Sequence, residues 1–205
     1  MLLAASVTFG DQATVRTFDQ DVRGQLPPDF VVAAVRQETP GGWRVEREGP
    51  NQVLRHAPDA TATGWSVAVA QQEPLPNVLV SARVRLTGGT RAGGVVWRYR
   101  DDRNFHAVVL DLDAQKISAY RVIDGHRVRF DVRDDLELDP GAWYTVKVVH
   151  EGTRVSVWLG GIRVLTDEDR RHSRDAPGRA GVLASGAGDT AFDDLRVEPR
   201  GGVHD

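Results

Sequence analysis

Residues 92–132 read AGGVVWRYRDDRNFHAVVLDLDAQKISAYRVIDGHRVRFDV, and this stretch decides the fold. Val95 to Arg100 is rich in β-branched and aromatic residues, which suit a pleated surface. Asp101 to Asn104 is a polar turn, and Phe105 to Leu112 returns as a second strand. Asp113-Ala114 turns the chain into Lys116 to Ile123. Asp124-Gly125 is a strong hairpin signal, because a two-residue type I′ turn needs positive φ at both positions. Arg127 to Val132 is then a fourth antiparallel strand.

Short turns imply registers. They place Arg98 opposite His106, His106 opposite Arg121, and Arg121 opposite Val128. Residues opposite one another share a face, since side chains alternate with period two. One face then carries Val96, Arg98, His106, Val108, Leu110, Ile117, Ala119, Arg121 and Phe130. The other carries Val95, Trp97, Tyr99, Phe105, Ala107, Val109, Tyr120 and Val122, and as the more continuous apolar set it is the expected core face. The first face holds a basic row, Arg98-His106-Arg121, open to an anionic or polyhydroxylated ligand. Arginine suits such a role because its planar fork donates two parallel hydrogen bonds. Pairing of the row with Asp or Glu is the structural alternative, since like charges directly opposed on a sheet destabilise it.

The rest of the chain repeats the theme. Strands are expected at Thr14–Phe18, Phe30–Val35, Trp43–Arg47, Gln52–His56, Trp65–Ala70, Val78–Leu86, Trp143–His150, Arg154–Leu159, Ile162–Leu165, Ala180–Ser185 and Thr190–Val197. Gly/Pro turns separate them, and no amphipathic helical period intervenes. Many short strands at a spacing of about ten residues indicate an all-β, two-sheet antiparallel sandwich of jelly-roll type. Residues 14–199 read as a single domain and 200–205 as a tail. Residues 1–13, apolar across Leu2 to Phe9 but too short to span a bilayer, read as a signal-peptide remnant or an N-terminal strand.

A net charge of -3 gives no general attraction to nucleic acid or anionic membranes, and the absence of cysteine excludes disulfide and thiolate chemistry. No phosphate loop, metal-spaced histidine pair or Ser-His-Asp set is visible. Among the tryptophans, Trp158 alternates away from Val157 and Leu159 and is the expected exposed stacking platform, whereas Trp143 is assigned to the core.

The segments Gly93-Gly94-Val95-Val96-Trp97-Arg98-Tyr99-Arg100-Asp101, Asn104-Phe105, Gly141-Ala142-Trp143-Tyr144-Thr145-Val146-Lys147-Val148, Val155 to Gly161, Gly178 to Val182 and Phe192 to Val197 resemble the concanavalin-A-like lectin/glucanase superfamily. The nearer likeness is to 3-keto-disaccharide hydrolase-related and laminin-G-like domains. That resemblance implies a jelly-roll sandwich, a glycan or oligosaccharide partner and a secreted or periplasmic protein. Members of that superfamily often hold a structural calcium near the meeting of first and last strands, for which Asp19 and Asp193, with Asp194 beside them, are the candidate ligands; a simple capped turn at these carboxylates is the alternative reading. The hydrolase-like Tyr-Glu-x-Gln strand is replaced by Phe105-His106-Ala107-Val108, and no carboxylate pair suited to glycoside hydrolysis stands on this face. The expectation is therefore a non-catalytic carbohydrate-binding or surface-interaction module, including acidic glycans, with Arg98, His106, Arg121 and Trp158 as ligand residues. The alternatives are a glycoside hydrolase or lyase acting on a disaccharide or keto-sugar, and a structural domain of a larger assembly.

Overall fold

The structure is a computed structural model that describes residues 12–36, 39–57, 64–87, 92–168, 176–186 and 188–201. Among them every regular element is a strand. In chain order these are β1 (Thr14–Arg16), β2 (Phe30–Val35), β3 (Gly42–Glu48), β4 (Asn51–Ala57), β5 (Trp65–Ala70), β6 (Val78–Thr87), β7 (Ala92–Asp101) and β8 (Asn104–Asp111). There follow β9 (Lys116–Ile123), β10 (His126–Arg133), β11 (Trp143–Glu151), β12 (Arg154–Leu159), β13 (Ile162–Glu168), β14 (Arg179–Ser185) and β15 (Asp189–Pro199). No described helix is long and apolar enough to cross a membrane. The charged run from Asp167 to Arg174, whose sequence suits a loop or one helical turn, lies largely outside the described residues, as do residues 1–11.

Two antiparallel sheets face each other. The first runs β13-β12-β11-β6-β15-β4-β3, with β1 pairing β15, so the first and last strands are neighbours. The second runs β10-β9-β8-β7-β14-β5-β2. Strict alternation builds the layer between them. Val78, Val80, Ala82, Val84 and Leu86 of β6 point inward, as do Val146 and Val148 of β11, Val155 and Val157 of β12, and Phe192, Leu195 and Val197 of β15. They meet Val95 and Trp97 of β7, Val108 and Leu110 of β8, Ile117 and Ala119 of β9, and Ala180, Val182 and Ala184 of β14.

The second sheet is apolar on both faces. Its outward side buries Val35, Trp65, Val67, Val69, Val96, Tyr99, Phe105, Ala107, Val109, Val122 and Leu183 in a separate cluster. Trp65 of β5 stands 5.1 Å from the ring of Tyr120 on β9 and 6.3 Å from that of Phe105 on β8. The Arg127 guanidinium of β10 lies 3.7 Å from the Trp65 ring centroid and donates to the Val35 carbonyl. Strands several places apart therefore touch across this face, so the sheet curls and Trp65 fills its groove. Burial, reinforced by the charge of Arg36, lowers the Arg127 pKa to about 10.

This arrangement corrects the expected faces. Trp97, not Arg98, lies opposite His106, and the β7–β8 register shifts between Trp97 and Asp101. Arg98 sits in this irregularity with φ +48. The slip leaves Val95 and Trp97 in the inter-sheet layer as expected but turns Phe105, Ala107, Val109, Tyr120 and Val122 to the outer face. It carries Val108, Leu110, Ile117 and Ala119 inward. The pairs His106 with Arg121 and Arg121 with Val128 form as read from the turns.

Candidate functional site

The expected basic row does not form an open surface. Arg98 is buried, and its guanidinium donates through Nε and Nη2 to the Pro76 carbonyl. His106 is buried in the inter-sheet layer, stacked at 5.3 Å on Trp97 and edge-on to Phe130 and His150. Arg121 is half-buried beside it. Arg98 and His106 do share a recess with Arg100, Asn104, Phe105, Val122 and Ile123, but its volume is about 30 Å³. That is room for roughly one water molecule and not for a sugar ring. Trp97 Nε1–H donates to His150 Nδ1 at 2.8 Å, which leaves the proton of His150 on Nε2, facing the Gly152 carbonyl at 3.2 Å.

Trp158 occupies a different sheet. It is half-buried on the outer face of the first sheet, and the ammonium of Lys147 lies 4.3 Å from its ring centroid. The same face carries a larger feature. A pocket of about 170 Å³ is lined by Glu48, Asn51, Val53, Arg83, Trp143 and Asp193. Each residue arrives by outward parity on its strand: Glu48 from β3, Asn51 and Val53 from β4, Arg83 from β6, Trp143 from β11 and Asp193 from β15. Trp143, expected in the core, is half-buried here, with the guanidinium carbons of Arg83 and Arg85 at 4.8 and 5.3 Å from its ring. Arg85 pairs with Glu48, and Arg83 lies 3.7 Å from Asp193 and 3.6 Å from Asp194. The wall is thus an indole, and the rim is a set of planar polar groups whose charges largely compensate.

Asp193 is the buried member, 2% exposed. Its Oδ1 accepts the Asp194 N–H at 2.8 Å and its Oδ2 accepts Asn51 Nδ2 at 2.7 Å. Asp194 has φ +50, and the β15–β6 register shifts between Asp193 and Arg196, so an irregular strand aims this carboxyl. Burial pushes its pKa up to about 6, helped by the charge of Asp194, against the donors Asp194 N–H, Asn51 and Arg83. A raised carboxyl pKa favours the folded protein fully below the unfolded value, about 3.9, and this contribution is lost as pH rises through about 6. His56 has the opposite sign. Burial lowers its pKa, so its share of stability falls as pH drops below about 6.5. Asp193→Asn is therefore expected to remove one component only. The difference in Tm between variant and parent should shift in the variant's favour from pH 4 to pH 7, and a difference that does not change with pH would contradict the assignment.

Asp19 and Asp193 flank the same stretch, Asn51-Gln52, but their oxygens serve protein donors. Asp19 Oδ1 accepts the Gln52 N–H at 3.0 Å. Gln52 Nε2 donates to the carbonyls of Phe18, Asp19 and Asp21. Among the described residues no three carboxylate, histidine or cysteine side chains form a group that could hold a metal.

The pocket residues were hard to see in the sequence. The outward alternation of Arg83 and Arg85 along β6 was the available signal. What assembles the pocket is the pairing of β6 with β11 and β15, whose registers set Thr145 and Asp193 opposite Arg83.

No protein-family model matches the chain, and no curated protein matches it in sequence. Solved structures do match in shape. The carbohydrate-binding module CBM66 from Bacillus subtilis superposes with a TM-score of 0.63 at 16% identity, covering 82% of this chain and 94% of that one. Cellulose induced protein Cip1 gives 0.63 at 14%, covering 93% and 100%. The exoplasmic/lumenal domain of VIP36, in a form bound to Ca2+ and Man3GlcNAc, gives 0.62 at 11%, covering 93% and 92%. With these structures, one of them a carbohydrate-binding module, the chain shares the fold of two facing antiparallel sheets, a β-sandwich whose first and last strands are adjacent.

Proposed function

We propose that this chain is a non-catalytic carbohydrate-binding module that holds a sugar in the pocket on the outer face of its first sheet. The observation that carries the reading is the pocket wall: a half-exposed indole, Trp143, beside Asn51, Asp193, Glu48 and Arg83. Sugars present an apolar C–H face and a rim of hydroxyls. An indole takes the first, and planar amide, carboxylate and guanidinium groups take the second. The carbohydrate-binding module and the Man3GlcNAc-bound VIP36 domain among the structures of similar shape point the same way. The two carboxylates at the pocket are both committed, Glu48 to Arg85 and Asp193 to Asn51 and the Asp194 N–H, which suits binding better than acid–base catalysis.

The charge balance of the pocket selects the glycan. The arginines beside it already face carboxylates, and two members of the basic row that would have favoured acidic glycans, Arg98 and His106, are buried. The ligand is accordingly a neutral one. Calorimetric titration of the protein with manno-, xylo- and cello-oligosaccharides is expected to give binding for at least one series. Trp143→Ala should weaken it at least tenfold, a loss of about 1.4 kcal/mol, with an unchanged Tm. A Trp143→Ala protein that binds like the parent would remove the pocket from consideration.

A further inference from the structure

We infer that the site extends from the Trp143 pocket along β11 to Trp158 and takes a chain of at least three sugar rings; the inference rests on the carbohydrate-binding reading of the pocket. Trp143, Thr145 and Lys147 alternate outward on β11, and Lys147 lies opposite Trp158 of β12. Both half-buried tryptophans thus stand on one face. Trp143 and Lys147 are four residue steps apart, about 13 Å along a strand. One pyranose ring cannot touch both indoles at that separation, whereas three linked rings can.

What lies between them is low. Thr145 is exposed, and its carbonyl accepts the Gly160 N–H at 2.9 Å, so the Gly160-Gly161 turn closes beside it. A side chain added at either glycine would meet nothing within 4 Å. The track is therefore floored by a threonine and flanked by a turn with no side chains, which gives a linear ligand passage between two aromatic platforms. At the far end the β12–β13 register shifts at Val157/Trp158. Such bulges re-aim side chains beside sites. Lys147, above the Trp158 ring, supplies a hydroxyl-directed donor there.

The experiment is titration of the full chain, and of its Trp158→Ala and Trp143→Ala variants, with manno-, xylo- and cello-oligosaccharides of one to six rings. Affinity of the parent should rise from one ring to three or four, by about tenfold for each 1.4 kcal/mol added by the second platform, and then level off. Trp158→Ala should cancel that rise, so that four rings bind no more tightly than one, while Trp143→Ala weakens every length. Thermal melts establish that each variant is folded. If the parent binds one ring as tightly as four, or if Trp158→Ala binds four rings like the parent, the extended track is wrong and the pocket reading stands. If no oligosaccharide binds the parent, the carbohydrate-binding reading itself falls.

Discussion

Replacing Trp97 by alanine lowers the free energy of unfolding by about 3–5 kcal/mol, the usual cost of deleting a large buried aromatic side chain. Trp97 is fully buried in the inter-sheet layer, with His106 stacked on it and His150 at its edge. The vacated space is lined partly by imidazoles rather than by aliphatic groups that could collapse into it. The substitution also takes the indole N–H from His150 Nδ1, and loss of a buried partner adds about 1–3 kcal/mol. Trp97→Phe separates the two contributions, since it keeps most of the ring volume and removes only the donor. Chemical denaturation should show a smaller loss for Trp97→Phe than for Trp97→Ala. A Trp97→Ala protein within 1 kcal/mol of the parent, on the scale of about 1 kcal/mol typical of point variants, would show that the inter-sheet packing is misplaced.

Gly94→Ala has a still larger expected effect, for backbone reasons. A Cβ at Gly94 would lie 1.9 Å from the Val108 carbonyl oxygen and 2.9 Å from its carbon. Gly181 is similar, with the Ala68 carbonyl oxygen at 2.2 Å. Both glycines point to the curled outer face of the second sheet, and their strands β7 and β14 are neighbours. A methyl group at either position cannot be absorbed by a rotamer change, because the obstacle is main chain. Displacing a ladder in mid-sheet should cost more than about 4 kcal/mol, the range reserved for severe structural conflict. That approaches the whole stability of an ordinary domain, about 5–15 kcal/mol. Gly94→Ala and Gly181→Ala should accordingly be recovered unfolded or as aggregates. Gly49→Ala, with φ +61 but no neighbour within 4 Å of the added carbon, should cost only about 1–2 kcal/mol. Soluble Gly94→Ala protein with a Tm near that of the parent would overturn the close approach of β7 and β8.

Strand positions were legible in the sequence because alternation and turn chemistry are local. The Asp124-Gly125 turn led to the β9–β10 register, and the inward set Val146, Val148, Val155, Val157 and Leu195 is fully buried as the alternation implies. Which face of β8 and β9 meets the other sheet was not legible. Phe105, Ala107 and Val109 are as apolar as Val108 and Leu110 opposite them, since both faces of that sheet are covered, and a strand buried on both sides reads as a continuous apolar run. Parity then hung on the last residues of β7, where the irregular backbone at Arg98 leaves Trp97, and not Arg98, opposite His106. Nothing in the residues 98–101 announces that shift. The pocket escaped for a different reason: Arg83, Trp143 and Asp193 are far apart in the chain and meet only through strand pairing.

The placement of the tryptophans has an optical consequence. The five indoles divide into Trp43, Trp65 and Trp97, which are buried, and Trp143 and Trp158, which are half-exposed on one face. A water-borne quencher such as iodide reaches only the second group, so the quenchable part of the emission comes from the two ends of the proposed track. The unlabelled protein thus carries its own reporter. A sugar laid across both platforms would shield them together, while the emission of the three interior rings would stay as an internal reference.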